Sequence, residues 1–389
     1  MRQKKPSFSY ILSDLFPTPQ QTSLQRACLY SGEAGRQAGV AWVKAIQASE
    51  DTLQEEYIKS LLPLLCHALP RNGVEVEHAF LTILRTASLW EDLRTKTYRR
   101  ICREVLSSLT AAGIPFILLG GAVLAETVYR DPALRHSHDI DILLGEADPC
   151  RAINLLASVG FVPLAKDVSP AWPNLQCTHK SGLRLMLHRQ LFCIPPYQIE
   201  SMSMWTRCQT HVIADVPVHV LSPEDTLLHL CGRVFLSPSR ASLSWVCDTW
   251  LLIDRHPSLD WDALLESIVH RHLTLQLAVM LGYVAEELQA PIPQSFLERL
   301  YEQASQADTF EYEVALWGVR AGGRVRLKEL LLKTQDWRTG AFILKWMLFP
   351  SPAYLRSVEQ IHLSGLLPLL YVSRPLRYIA RSFLRRWRR

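Results

Sequence analysis

Between Pro115 and Leu144 the chain reads "PFILLGG", then "AVLAETVYR", then "HDIDILL", and this stretch constrains the fold more than any other. The outer pieces are short apolar runs of strand type, and the piece between them has helical composition. Strand, helix and strand in succession call for a mixed core of sheet and helix. The second strand departs from its own pattern, because Asp139 and Asp141 interrupt the apolar run. Residues two apart on a strand project to the same face, so the two carboxylates point together while Ile140 and Ile142 point to the packed side.

Helical sequence surrounds this core. From about residue 20 to 112 the apolar residues fall at helical steps, as in Ile58, Leu61, Leu62 and Leu65 and again in Ile101, Val105 and Leu109. Gly113 and Pro115 end that region. After the Asp-x-Asp strand, Asp148 and Pro149 open a helix that Gly160 closes. "FVPL" leads through a turn-rich segment to "GLRLMLHRQLF", which places Leu183, Leu185 and Leu187 on one face and Arg184, Met186 and His188 on the other. "HVIADVPVHVL" reads as a strand pair turning near Asp215. From Ser222, a cap followed by Pro and two acids, the pattern is helical to about residue 340.

The expected architecture is α+β, a small mixed sheet flanked by helices. Its divisions are a helical region 1–112, an α/β core 113–221, a helical domain 222–340 and a C-terminal extension 341–389.

With 389 residues, 48% hydrophobic and 20% charged, the composition is that of a packed globular protein. Nine cysteines with no CxxC pair indicate neither a disulfide framework nor a zinc ribbon. No run of 18 uncharged apolar residues occurs, and no apolar segment of signal-peptide length follows the basic N-terminus, so a cytoplasmic location is expected. The net charge of +5 is local, since residues 374–389 hold seven arginines and leave −2 on the rest. That distribution excludes a nucleic-acid surface over the whole protein, and no DNA partner is expected. In the tail, Leu376, Ile379, Phe383, Leu384 and Trp387 share one helical face and arginines surround it. Such a helix can dock on the protein itself, lie on an anionic membrane surface, which would make the protein membrane-peripheral, or touch RNA.

Two carboxylates this close repel unless a cation sits between them, and hard oxygen ligands suit Mg²⁺ or Mn²⁺. Gly120 and Gly121 end a strand and open a helix, leaving backbone N–H groups open to an anion. A triphosphate, as in a nucleoside triphosphate (NTP), could lie between these two features.

"LGGAVLAETVYRDPALRHSHDIDILL" resembles the uncharacterised nucleotidyltransferase-like family of the polymerase-β superfamily: a Gly after the strand, a Tyr-x-Asp-Pro-x-x-Arg connection and an Asp-Ile-Asp strand. The likeness extends to "VLSPEDTLLHLC", the helix around Asp248, "DWDALL" and "LFPSPAYL…LLYVSRPLR". It implies transfer of a nucleotidyl group from an NTP to a hydroxyl of an acceptor, whether small molecule, protein or RNA. It further implies that Gly120 and Gly121 contact phosphates, that Asp139 and Asp141 hold the metal, and that Arg130 and Arg135 neutralise phosphate charge. One departure stands out. The third carboxylate that the resemblance implies, two residues before a His on a later strand, corresponds here to Met186 ahead of His188. A thioether is a soft, neutral ligand and a poor substitute for an acid. The alternative is therefore a catalytically reduced nucleotide-binding or scaffold protein of a biosynthetic or regulatory assembly. His188, on the face of Met186, is the candidate base, and Asp215 or Asp248 would be the acids that folding could add to the pair.

His136 and His138 beside the aspartates raise a transition-metal reading, but alternation puts His138 opposite Asp139, and a solvated approach to the strand is the plainer one. Asp248, an acid among large apolar residues, is expected to serve structure, closing a hydrogen bond to a helix end, or to line the cleft.

Overall fold

The computed structural model describes residues 16–47, 56–137, 139–145, 149–164, 174–192, 201–236, 244–307, 311–312 and 371. The N-terminal helices are α1 (Pro19–Leu29), α2 (Gly32–Gln47), α3 (Glu56–Arg71) and α4 (His78–Ala111). A capping box starts α1: Thr18 Oγ1 accepts from the Gln21 N–H at 3.3 Å, and the Gln21 side chain accepts from the Thr18 N–H at 2.8 Å. Beyond α4, Gly113 takes the left-handed conformation (φ +64°), and the chain turns into β1 (Phe116–Leu119).

The remaining elements follow in chain order. They are α5 (Gly120–Thr127), β2 (Asp139–Leu144), α6 (Pro149–Ser158), β3 (Phe161–Pro163), β4 (Asn174–His179), β5 (Arg184–His188), α7 (Ser201–Arg207), β6 (Gln209–Ile213) and β7 (Val216–Val220). Five helices follow among the described residues: α8 (Pro223–Leu236), α9 (Ser244–Arg255), α10 (Trp261–His270), α11 (Thr274–Leu288) and α12 (Gln294–Ser305). The N–H of Asp225 donates to Ser222 Oγ at 3.2 Å, so the serine caps α8 as its sequence suggests.

The fold is α+β. Seven strands form one mixed sheet in the order β3-β4-β5-β2-β1-β7-β6. At its centre β2 runs antiparallel to β1 and parallel to β5, placing Asp141 between Leu119 on one side and Met186 on the other. Both faces at the centre are covered. Ile140, Ile142, Leu185 and Leu187 pack with Ile101, Val105, Leu106 and Leu109 of α4 and with Leu156 of α6, forming the back core. On the front, Ile117, Leu119 and Leu143 join a core shared by the helices that precede the sheet and those that follow it. Polar contacts fasten these helical sets together, among them the Thr22 and Tyr283 hydroxyls at 2.8 Å and Arg26 Nη2 with Glu287 Oε2 at 2.9 Å.

The structure adds two strands to the sequence reading, β3 at Phe161–Pro163 and one in the segment that follows it. The segment read as turn-rich holds β4, paired antiparallel to β5. Its Leu175 and Cys177 are buried while Gln176 and Thr178 between them are only half-buried, a short period-two pattern. The β6–β7 hairpin turns through Ala214 (φ +49°) and Asp215 (φ +66°), an unusual conformation for two residues that are not glycine. Glu126 compensates by accepting from the Ala214 N–H, at 3.1 Å on its nearer oxygen. Among the described residues no helix is long and apolar enough to cross a membrane. The basic tail 374–389 and the cap residue Asp148 lie outside the described residues.

Candidate active site

Asp139 and Asp141 point from the front face of β2 into the seam between the sheet and α8. Asp141 is buried, with 2% of its side chain exposed, and Asp139 retains 33%. Two donors grip Asp141. His188 reaches back from the end of β5 and places Nε2 2.9 Å from Asp141 Oδ1, and Arg233 of α8 donates from Nη1 to Oδ2 at 2.7 Å. The other nitrogen of that guanidinium, Nη2, stands 4.0 Å from Asp139 Oδ2. One arginine therefore spans both acids.

Electrostatics separate the two carboxyls. Burial by itself would raise Asp141, but the Arg233 guanidinium and His188 outweigh it and hold the group well below the usual carboxylate range. Asp139 is pushed up, by burial first and then by the charge of Asp141. An ionised carboxylate only accepts, so the Nε2 of His188 facing Asp141 carries the proton. His188 thus orients Asp141, and while this bond holds, Nε2 is not a base. Behind it, His229 of α8 is buried against the Phe192 ring at 5.9 Å, and burial, followed by the charge of Arg233, pushes its pKa down to about 3.

The two glycines are required by close approach. Gly120 has φ +65°, and a Cβ there would stand 2.9 Å from Asp141 Oδ2 and 3.3 Å from Arg233 Nη1. A Cβ on Gly121 would run into Arg135 Nη1 and come within 2.7 Å of Ser137 Oγ. The start of α5, with N–H groups unpaired within the helix, therefore lies directly beside the acidic pair.

Other sequence candidates take different places. Arg135 is anchored below the turn, where its Nε and Nη2 donate to Asp248 at 2.8 Å each and Tyr129 OH donates to the same carboxylate at 2.8 Å. Only its Nη1 faces Gly121. Arg130 is exposed, within electrostatic reach of His67 and Arg71. His136 is half-buried on Glu91, Nδ1 to Oε2 at 2.6 Å, with Arg94 against both, and His138 lies outside the described residues. Neither acid expected as a third partner joins the pair: Asp248 is taken by Arg135 and Tyr129, and Asp215 lies in the surface hairpin, paired with Arg99 and Arg103. In register beside Asp141 stands Met186, half-buried.

These donors decide what cation the site can hold. Two carboxylates on one strand face, one of them partly exposed, with no side chain on the neighbouring glycine, suit one oxygen-loving divalent ion completed by water and phosphate oxygens. Among the described residues no three His, Cys, Asp or Glu side chains are placed to hold a metal ion together, and the position beside Asp141 offers a thioether, so a second ion lacks its protein ligand. On the other side of Asp139 a shallow, largely apolar cleft, open to solvent, runs between α4 and α5 and is lined by Thr95, Tyr98, Ala122, Ala125 and Ser137 among others.

Sequence reasoning missed Arg233 and His229. Their signal is present but faint: they lie four apart in "LLHLCGRVFL", two polar residues on one face of an otherwise apolar stretch of the helix.

A family model described as an uncharacterised nucleotidyltransferase matches residues 58–289, running from within α3 to the residue after α11 and so taking in the sheet, both acids and Arg233. No curated protein matches the chain. The match covers more than half of the chain, and the protein belongs to this uncharacterised nucleotidyltransferase family.

Proposed function

We propose that the protein transfers a nucleotidyl group from an NTP to the hydroxyl of an acceptor, with one Mg²⁺ or Mn²⁺ held on Asp139 and Asp141. The observation that carries this reading is the convergence of the paired carboxylates with the side-chain-free Gly120–Gly121 turn, 2.9 Å apart at the position of the missing Cβ. A divalent ion there supplies charge neutralisation and polarises the phosphoryl oxygens. The chain does the rest. Backbone N–H groups at the start of α5 receive the triphosphate, and Arg135 Nη1 adds positive charge over Gly121. His188 keeps Asp141 oriented. The shallow apolar cleft beside Asp139, lined by Tyr98 and Ala122, is the surface against which a nucleoside would lie. The acceptor oxygen bonds to the α-phosphorus as the bond to the bridging oxygen on its far side breaks; pyrophosphate leaves and the hydroxyl proton passes to solvent.

Met186 favours a second reading, nucleotide binding without turnover, because it removes acidic charge from the position in register with Asp141. Pyrophosphate release by the full chain with Mg²⁺ and NTPs, in the presence of small-molecule, protein or RNA fractions as acceptors, separates the two. Transfer predicts release that falls on the order of 10²–10³-fold in Asp139→Ala with Asp141→Ala. Release undiminished by that double change refutes the assignment of the site. No release from the wild-type chain, with a gain in Met186→Asp, establishes the second reading.

A further inference from the structure

Arg233 has no part in the transfer chemistry, yet it sits at its centre. Arg233 comes from α8, outside the sheet, and already occupies the space between the two carboxylates, with contacts of 2.7 Å to Asp141 and 4.0 Å to Asp139. The Asp141 oxygen it uses, Oδ2, faces the Gly120 turn, where a metal ion serving an NTP would also bind. A guanidinium and a divalent ion cannot share it.

Arg233 differs in this from Arg135. The Arg135 side chain is 11% exposed and two of its nitrogens are fixed on one carboxylate. The side chain of Arg233 is 39% exposed and bridges two acids, holding the second only at ion-pair distance. Its backbone is firmly placed, since Leu230 and Val234 on either side of it along α8 are buried, so only the side chain has room to move. A short movement suffices: a Cβ on Gly120 would stand 3.3 Å from Arg233 Nη1, so the guanidinium already borders the phosphate-facing turn. A guanidinium also presents a planar fork of donors that matches phosphate as well as it matches carboxylate.

We propose that Arg233 is an exchangeable counter-ion of the acidic pair. In the nucleotide-free protein it holds Asp139 and Asp141 together. When an NTP arrives with its divalent ion, the ion takes the carboxylate oxygens and the guanidinium passes to the triphosphate. The device makes metal and nucleotide binding mutually dependent: metal alone must displace Arg233 into solvent, whereas metal with nucleotide gives it a new anion. The proposal rests on the nucleotide reading of the site and assigns Arg233 a positioning role within it.

The test is Mn²⁺ binding to the full chain, followed by electron paramagnetic resonance, with and without α,β-methylene ATP or its guanosine counterpart. Wild type should bind Mn²⁺ weakly alone and roughly tenfold or more tightly with the analogue, within the usual range of coupling between sites. Arg233→Gln should bind Mn²⁺ alone roughly tenfold more tightly than wild type, and the analogue should no longer improve it. Arg233→Lys, whose single ammonium holds one acid and not two, should fall between, and it decides the matter if the Gln variant does not fold as judged by circular dichroism. Metal-alone binding no tighter in the folded variants than in wild type overturns the exchange while leaving the nucleotide reading intact, provided wild type binds Mn²⁺ with the analogue. Absence of Mn²⁺ binding in every protein, with the analogue present, overturns both.

Discussion

Asp248 and Asp141 are both buried carboxylates, each met by an arginine and by one further donor, and they serve different ends. Asp248 is 1% exposed as a residue, and its partners Arg135 and Tyr129 are themselves withdrawn from solvent, so its centre is closed. Asp141 is equally deep, but its arginine reaches solvent and is shared with a second acid, so its centre is open. Similar chemistry gives a strut in one place and a site in the other. The difference lies in whether every charge already has its permanent partner.

Several changes should pull the two centres apart, and the largest effect belongs to the closed one. Asp248→Ala strands the Arg135 guanidinium in the core and should cost about 3–5 kcal/mol in denaturant unfolding. A loss of under about 1 kcal/mol would mean that Arg135 finds solvent as readily as Arg233 does, and the contrast would collapse.

Acid should act on the open centre through His229. Its folded-state pKa lies at about 3, below the 6.5 of the unfolded chain. The unfolded state therefore binds the proton first as pH falls, and stability is lost between 6.5 and about 3 at about 1.4 kcal/mol per pH unit. His229→Leu should remove that component from the pH dependence of the unfolding free energy. An unchanged acid slope would show that the imidazole is not held neutral beside Arg233.

The smallest stability effect should come from the residue with the largest functional one. Asp139→Asn removes a charge that Asp141 opposes, and should leave the unfolding free energy within about 0.5 kcal/mol of wild type or slightly above it. Metal-dependent nucleotide binding should nevertheless be lost. A clear destabilisation by this change would make Asp139 part of a structural bridge with Arg233, as Asp248 is with Arg135.

The sequence made some of this plain and hid the rest for physical reasons. Asp139, Asp141, Gly120 and Gly121 carry their message locally: strand alternation sets the acids on one face, and a Gly pair between strand and helix marks where a backbone must come close. The packing of the sheet face opposite the acids is also legible, from Ile140 and Ile142 alternating with them. Arg135 shows where such reading stops. Its motif suggests a phosphate ligand, but its principal partner Asp248 is 113 residues away, a pairing only the fold creates. Arg233 is obscured in the same way, as one arginine in the apolar half of its helix, and it meets Asp141 across 92 residues. The strand β4 was hidden by its short alternation, which carries only Leu175 and Cys177 as large or thiol anchors between polar neighbours. Met186 is the reverse case, since its place beside Asp141 is the one its position in the sequence suggested.

The most direct test of the open centre is a calorimetric titration of NTP into the full chain with and without Mg²⁺, on wild type and on Asp139→Asn with Asp141→Asn. The account predicts saturable binding to wild type that requires Mg²⁺, and none at the same concentrations in the double variant with its fold intact. Equal binding by both proteins, or binding to wild type indifferent to Mg²⁺, would contradict it.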